Sequence, residues 1–221
     1  MITSILWDMD GVLVETSEAH FRSWLVAARH FGFPFDRDIF LRYYGMNNAS
    51  ILQALLGEDV AANLITEIGI FKENCFREDM KDSIELLPGV SIWLERFQGL
   101  GFRQAVASSG PLENIEFSVD ATGIRSFFTA LVSCSGGPSK PDPWVFQEAA
   151  RQLKAPSETC LVIEDTPNGI TAARSAGMYC LAVTTSNPAS LLQGANLVVE
   201  NLSKLDYDSF RKSFLQEVPH E

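Results

Sequence analysis

Apolar residues along the chain follow two rhythms: short unbroken runs, and stretches where they recur every third or fourth position. The first pattern predicts buried strands and the second amphipathic helices. Ile2 and Ile5-Leu6-Trp7 predict an opening strand. Thr16–Phe31, with Phe21, Trp24, Leu25, Ala28 and Phe31 at helical spacing, predicts a helix ended by Gly32 and Pro34. Asp36–Tyr44, Ala49–Leu56 and Val60–Met80 continue as helical segments punctuated by Gly45 and Gly57. No stretch between residues 16 and 80 carries a strand pattern.

The rhythm then changes. Leu86-Leu87-Pro88-Gly89-Val90 opens a helix with Ile92, Trp93, Leu94 and Phe97 on its apolar face, closed by Gly99 and Gly101. Strands are predicted at Phe102–Ser108, Ala130–Cys134, Cys160–Asp165 and Tyr179–Val183, with a short last one at Leu197–Val199. Helices are predicted near Leu112–Thr122, Pro143–Leu153 and Pro167–Ala176, and in the last dozen residues. Such alternation means a parallel sheet wrapped by helices on both faces. Residues 16–83 interrupt it, being too long for a crossover and too helical for a linker. The expected architecture is α/β: a Rossmann-like parallel core of residues 1–15 and 84–221, with a small helical domain, 16–83, inserted after the first strand.

Composition narrows the function. The chain has 221 residues, 46% of them apolar, enough for a sizeable core. A net charge of −11 argues against nucleic acid or an anionic membrane as partner, because both need clustered Lys and Arg. No apolar run approaches the roughly 18–20 residues of a membrane helix, and the N-terminus lacks the basic start of a signal peptide. Cys75, Cys134, Cys160 and Cys180 have no metal-ligand spacing, so free thiols and a cytoplasmic location are expected.

Polar residues cluster at predicted strand ends. Asp8-Met9-Asp10-Gly11-Val12-Leu13 follows the first strand, Ser108-Ser109-Gly110 the second, Ser139-Lys140-Pro141 the third and Glu164-Asp165-Thr166 the fourth. In parallel α/β sheets, ligands bind at the carboxyl ends of strands. Taken singly, these are an acidic turn, a strand-end hydroxyl, a solvated lysine and a second acidic turn. Thr166 and Pro167 also suit a helix N-cap and first turn. Together they allow phosphoryl transfer. A carboxylate attacks phosphorus, Mg²⁺ sits on oxygen ligands, Ser108 and neighbouring backbone N–H groups bind the phosphoryl oxygens, and Lys140 balances charge in the transition state. The second acid, Asp10, moves the proton.

On these four motifs the chain resembles the haloacid dehalogenase superfamily of hydrolases. The resemblance is to the subgroup with a helical cap after the first motif, which includes beta-phosphoglucomutase and small sugar-phosphate phosphatases. The fourth match is long, Glu164-Asp165-Thr166-Pro167-Asn168-Gly169 with Ala172-Ala173 and Ala176-Gly177-Met178. The resemblance implies Asp8 as nucleophile and metal ligand, and Asp10 as acid/base with its carbonyl on the metal. Glu164 and Asp165 complete the Mg²⁺ site. Ser108, Lys140 and the backbone N–H of Ser109 bind the phosphoryl group. One departure is Glu15, where the family usually has Asp.

In the cap, His20 and Lys72 match positions that face substrate, and each also reads as an ordinary surface side chain. At the loop where the mutase carries an arginine for a distal phosphate, this chain has Asn47 and Asn48. Amides hydrogen-bond hydroxyls but do not neutralise a second phosphate. The expected substrate is therefore a small phosphorylated metabolite, a monoester of a sugar or polar alcohol, hydrolysed by a monomer. A phosphomutase and a non-catalytic binding protein are the alternatives; Asp10 disfavours dehalogenase and phosphonate-hydrolase chemistry. His30 and His220 are expected to be structural or exposed. Trp7, Trp24, Trp93 and Trp144 read as core.

Overall fold

The computed structural model describes residues 1–215. Six parallel strands form one sheet: β1 (Ser4–Trp7), β2 (Arg103–Ser108), β3 (Ala130–Ser133), β4 (Cys160–Glu164), β5 (Tyr179–Val183) and β6 (Leu197–Val199), in the order β3-β2-β1-β4-β5-β6. The central strands β1 and β4 are buried along their whole length, which is why they read as unbroken apolar runs. The order reverses between β1 and β4, and a ligand crevice opens at such a point beyond the carboxyl ends. Asp8 and Glu164 stand on its two sides.

Four helices follow β1 before the sheet resumes: α1 (Ser17–Phe31), α2 (Arg37–Tyr43), α3 (Asn48–Leu56) and α4 (Ala62–Met80). They share an apolar cluster of their own around Trp24, Phe40, Leu52 and Ile68. The remaining helices cover the sheet: α5 (Val90–Gly99), α6 (Leu112–Ala121), α7 (Trp144–Leu153), α8 (Pro167–Ser175) and α9 (Tyr207–Phe214). One apolar cluster packs Trp7, Trp93, Phe97 and Phe210 on one face. A second packs Leu6, Phe146 and Val162 on the other.

Several predicted helix starts shift by one or two residues, and that of α5 by four. Thr16 precedes α1 as its N-cap, with its hydroxyl turned to Asp10 rather than to the helix, and α5 begins at Val90 rather than Leu86. Leu86 instead pairs with Val14, so the chain segments leaving and rejoining the sheet run side by side. Glu15 accepts from the backbone N–H of Ser17 (2.9 Å) and so serves the start of α1. The helix expected over the last dozen residues begins earlier, at Tyr207; residues 216–221, His220 included, lie outside the described residues. No described helix is long and apolar enough to cross a membrane, and all four cysteines are free.

Candidate active site

Where β1 and β4 end, Lys140 is buried between two carboxylates. Its Nζ donates to Asp8 Oδ1 (2.7 Å) and to Glu164 Oε1 (2.8 Å). The other oxygen of Glu164 accepts from the backbone N–H groups of Asp165 and Thr166 (both 2.7 Å) and from Thr166 Oγ1 (3.0 Å). Thr166 also caps α8, accepting from the N–H of Gly169, with Pro167 in the first turn. A Cβ on Gly169 would lie 1.8 Å from Glu164 Oε1, so glycine lets the carboxylate rest against the start of α8. Ser108 ends β2, and its hydroxyl accepts from the N–H of Gly110 (3.0 Å).

This floor is short of positive charge. Burial lifts the Asp8 carboxyl to about 7; Lys140 pulls it down and Glu164 pushes it up. Burial, then the charges of Glu164 and Asp8, hold Asp165 well above the ordinary carboxylate range. Burial works against the charge on Lys140, yet Asp8 and Glu164 keep its pKa above normal. Both Asp165 oxygens are buried with no hydrogen-bond partner among the described residues. Carboxylate oxygens of Asp8, Glu164 and Asp165 lie within 4.8 Å of one another. Clustered hard oxygen donors with open lone pairs fit a divalent cation such as Mg²⁺. Glu164 is the most heavily engaged of the three, so the freest donors belong to Asp8 and Asp165. Gly11, at φ +80°, completes the turn: a Cβ there would stand 2.0 Å from Asp165 Oδ2.

Asp10 faces the helical insertion. Its Oδ1 accepts from Thr16 Oγ1 (2.5 Å), and His20 Nε2 lies 3.2 Å away. Lys72 Nζ approaches His20 Nδ1 at 2.7 Å. With Lys72 donating to Nδ1, the ring carries its proton on Nε2 and donates it to Asp10. Against the upward push of burial, His20 and Thr16 hold Asp10 down at about 2. The His20 ring stacks on Phe76 at 4.0 Å.

Lys72 is balanced in turn. Glu73 Oε1 accepts from Lys72 (2.9 Å) and from Asn48 Nδ2 (2.7 Å), and Oε2 accepts from Asn114 Nδ2 (2.6 Å). Asn114 belongs to α6 of the sheet layer and Glu73 to α4 of the insertion, so this bond joins the two. Against the upward push of burial, the Lys72 charge and the hydrogen bonds from Lys72 and Asn48 keep the Glu73 carboxyl below its ordinary value.

A cavity lies between floor and insertion. Asp8, Asp10, Ser108, Ser109, His20 and Lys72 line it, and Lys140 sits just beneath, behind Asp8. Asn47 does not line it. Its side-chain oxygen caps α3 by accepting from the N–H of Ser50, and its own N–H donates to Ser139 Oγ (2.9 Å). The neighbouring Asn48 lines the cavity instead. Trp24 is part of the core, as its spacing predicts, and also a wall of the cavity. His30 is exposed and stacks on Phe71 at 4.5 Å. Sequence reasoning missed Glu73, Asn114 and the loop after β5, where Asn187 Nδ2 donates to the Asp165 carbonyl (3.0 Å) and Thr185 Oγ1 to that of Gly11. The available signal was position: that loop is the fifth strand end on the same side of the sheet.

Residues 5–183 match the family described as haloacid dehalogenase-like hydrolase. The chain is 29% identical over 221 residues to a beta-phosphoglucomutase of Bacillus subtilis, covering 96% of each chain. It is 29% identical over 186 residues to a fructose-1-phosphate phosphatase of Escherichia coli, covering 81% of this chain and 95% of that one. Among solved structures, a beta-phosphoglucomutase from Clostridium difficile superposes with a TM-score of 0.88 at 22% identity, covering 97% of this chain and 98% of that one. The protein CbbY from Rhodobacter sphaeroides, in complex with phosphate, gives 0.81 at 28% identity, covering 93% and 96%.

Proposed function

Since the chain belongs to the haloacid dehalogenase-like hydrolase family, we propose that it is a Mg²⁺-dependent phosphatase acting on a small phosphate monoester through an aspartyl-phosphate at Asp8. Asp10 takes up a proton from solvent as the dianionic phosphoryl group enters and raises its pKa; Asp8 then attacks phosphorus, and the bond to the alcohol oxygen breaks as Asp10 gives that proton to it. Asp10 then takes a proton from water, which attacks the aspartyl-phosphate, frees phosphate and restores Asp8. Ser108 and the Ser109 N–H grip the phosphoryl oxygens, while Lys140 balances charge beside Asp8. Asp8, the Asp10 carbonyl, Glu164 and Asp165 would hold Mg²⁺, which supplies positive charge against the phosphoryl group and the nucleophile. Asp10 is ionised at rest, the form that accepts a proton. A dianionic phosphoryl group nearby pushes its pKa up, the direction acid catalysis needs.

Hydrolysis rather than mutation rests on one observation. Lys72 is the only Lys or Arg among the described residues lining the cavity, and Glu73 already neutralises it. A mutase must grip a second phosphate, which needs a cation to spare. Phosphomutase activity is the second reading, favoured by the likeness to the Bacillus enzyme. Single turnover with beta-glucose 1-phosphate plus its bisphosphate separates them: free phosphate is expected, and glucose 6-phosphate as product would overturn the hydrolytic reading. The relatives' names point to sugar phosphates or similar metabolites as substrates. One chain supplies both floor and insertion, which suits a monomer.

A further inference from the structure

We infer that Tyr44, from the insertion, and Ser186, from the loop after β5, are positioning residues for the cation: in series they hold the second oxygen of Asp165, so that Mg²⁺ binding and seating of the insertion reinforce each other. This rests on the metal-site reading of the strand ends in the proposed function.

One stretch of the insertion, residues 44–47, sits on the strand-end loops. The Ser109 hydroxyl, after β2, donates to the Gly45 carbonyl (2.7 Å), and the Asn47 N–H donates to Ser139 Oγ, after β3 (2.9 Å). A Cβ on Gly45 would lie 3.3 Å from the Thr166 methyl, so this stretch also rests against the turn after β4. The Tyr44 hydroxyl beside it is buried and has no hydrogen-bond partner among the described residues. The loop after β5 has a matching gap. Thr185 and Asn187 are tied to the carbonyls of Gly11 and Asp165, whereas Ser186 Oγ between them is buried and unpaired among the described residues. A Cβ on Gly11 would meet both Ser186 Oγ (2.6 Å) and Asp165 Oδ2 (2.0 Å), so those two oxygens are neighbours. Ser186 also lies beside the Tyr44 hydroxyl, whose pKa is pushed well above its ordinary value by burial and then by the charge of Asp165. The phenol therefore keeps its proton and serves as a donor.

Buried hydroxyls without partners are rare and costly. Here two of them adjoin a carboxylate that has no donor of its own. A carboxylate that gives one oxygen to a metal normally has the other hydrogen-bonded, and that partner fixes its orientation. Ser186 supplies the bond: its hydrogen goes to Asp165, and its oxygen accepts from Tyr44. A cation that fixes the carboxylate completes this chain, and the chain ends in the insertion. The cation thus favours the seated insertion, and by linkage the seated insertion favours the cation.

Calorimetry with Mg²⁺ alone tests this without turnover. Tyr44→Phe and Ser186→Ala each remove one hydroxyl and should each weaken Mg²⁺ binding about tenfold. The double variant should lose no more than either single one, as links of one chain do. Amide exchange of residues 45–47 should slow on adding Mg²⁺ to the unaltered protein and stay unchanged in Tyr44→Phe. A loss below about threefold in both single variants, or losses that multiply in the double variant, overturns the inference. So does a KM rise in Tyr44→Phe at unchanged Mg²⁺ affinity, which makes Tyr44 a substrate contact. The expected losses in a protein that releases no phosphate support the inference and sink only the hydrolytic reading; an unaltered protein that binds no Mg²⁺ sinks both.

Discussion

At the strand ends, Asp8 and Glu164 share Lys140, and Asp165 beside them keeps both oxygens without a partner among the described residues. In the helical insertion, Glu73 is matched by Lys72, Asn48 and Asn114. Both regions are buried and both hold charge, yet only one is balanced. Buried charge left short of partners is costly unless something arrives to complete it, which supports the proposal that the strand ends receive a cation and a phosphoryl group. The insertion has no such deficit; its balanced pair adds shape and orientation instead. On the proposed reading, reaction and selectivity fall on different sides of one cavity.

The contrast can be broken on either side. The largest effect is expected at Asp8: Asp8→Asn should lower phosphate release from an aryl phosphate roughly 10⁴-fold, and equal rates would refute the nucleophile assignment. Next, Lys140→Met removes the one cation from two buried carboxylates. Urea unfolding of the metal-free protein should show a loss of about 3–5 kcal/mol, and a loss below about 1 kcal/mol would mean water already screens the pair.

The third test uses pH. Unfolded Asp8 binds its proton near 3.8 and folded Asp8 near 7, so between those values the folded state holds more protons. Asp165, held well above the ordinary carboxylate range, adds to the same slope, so stability of the metal-free protein should fall as pH rises from about 5 to 7, by at most ~1.4 kcal/mol per unit for each of the two groups. Asp10 and Glu73, with depressed pKa values, are ionised in both states across that window and add no slope. Thermal melts should show the fall, Mg²⁺ should offset it, and Asp8→Asn should reduce it to the part that Asp165 contributes; an unchanged slope in that variant would place the Asp8 proton elsewhere.

On the insertion side, Glu73→Gln frees the Lys72 charge. Inhibition by a hexose bisphosphate should then strengthen by about tenfold, and no change would mean that Lys72 does not face the ligand. The smallest effect is at Asn47. Asn47→Ala should cost about 1 kcal/mol in unfolding through the lost cap of α3; a KM increase larger than that stability loss would return Asn47 to the substrate.

The strand ends were legible because strand–helix alternation fixes where a strand stops; Asp8, Ser108 and Glu164 fall at those stops, and Lys140 in the loop between β3 and α7. The insertion was legible as four helices but not as a wall. Trp24 shows why: helical spacing marks a residue as inward-facing and does not distinguish core from cavity. Glu73 and Asn114 sit on different layers, far apart in sequence, and no local pattern links such a pair. Asn47 and Asn48 are chemically identical, and only the geometry of α3 decides which of them caps the helix and which reaches the cavity. Thr16 was placed inside α1 on periodicity, whereas its hydroxyl is held outside by Asp10.

The pairing of Val14 with Leu86 has a mechanical consequence. Both chain segments that connect the insertion to the sheet pass this one pair, tied again where the N–H of Leu87 donates to the Leu13 carbonyl (2.9 Å). Two separate tethers would let the helices slide and twist; two tethers riveted together leave a single pin. The 19-residue α4 is a lever of about 28 Å. A turn of about 10° at the pin sweeps the far end of that lever through about 5 Å, while Asp10, beside the pin through its own pairing with Val14, scarcely travels.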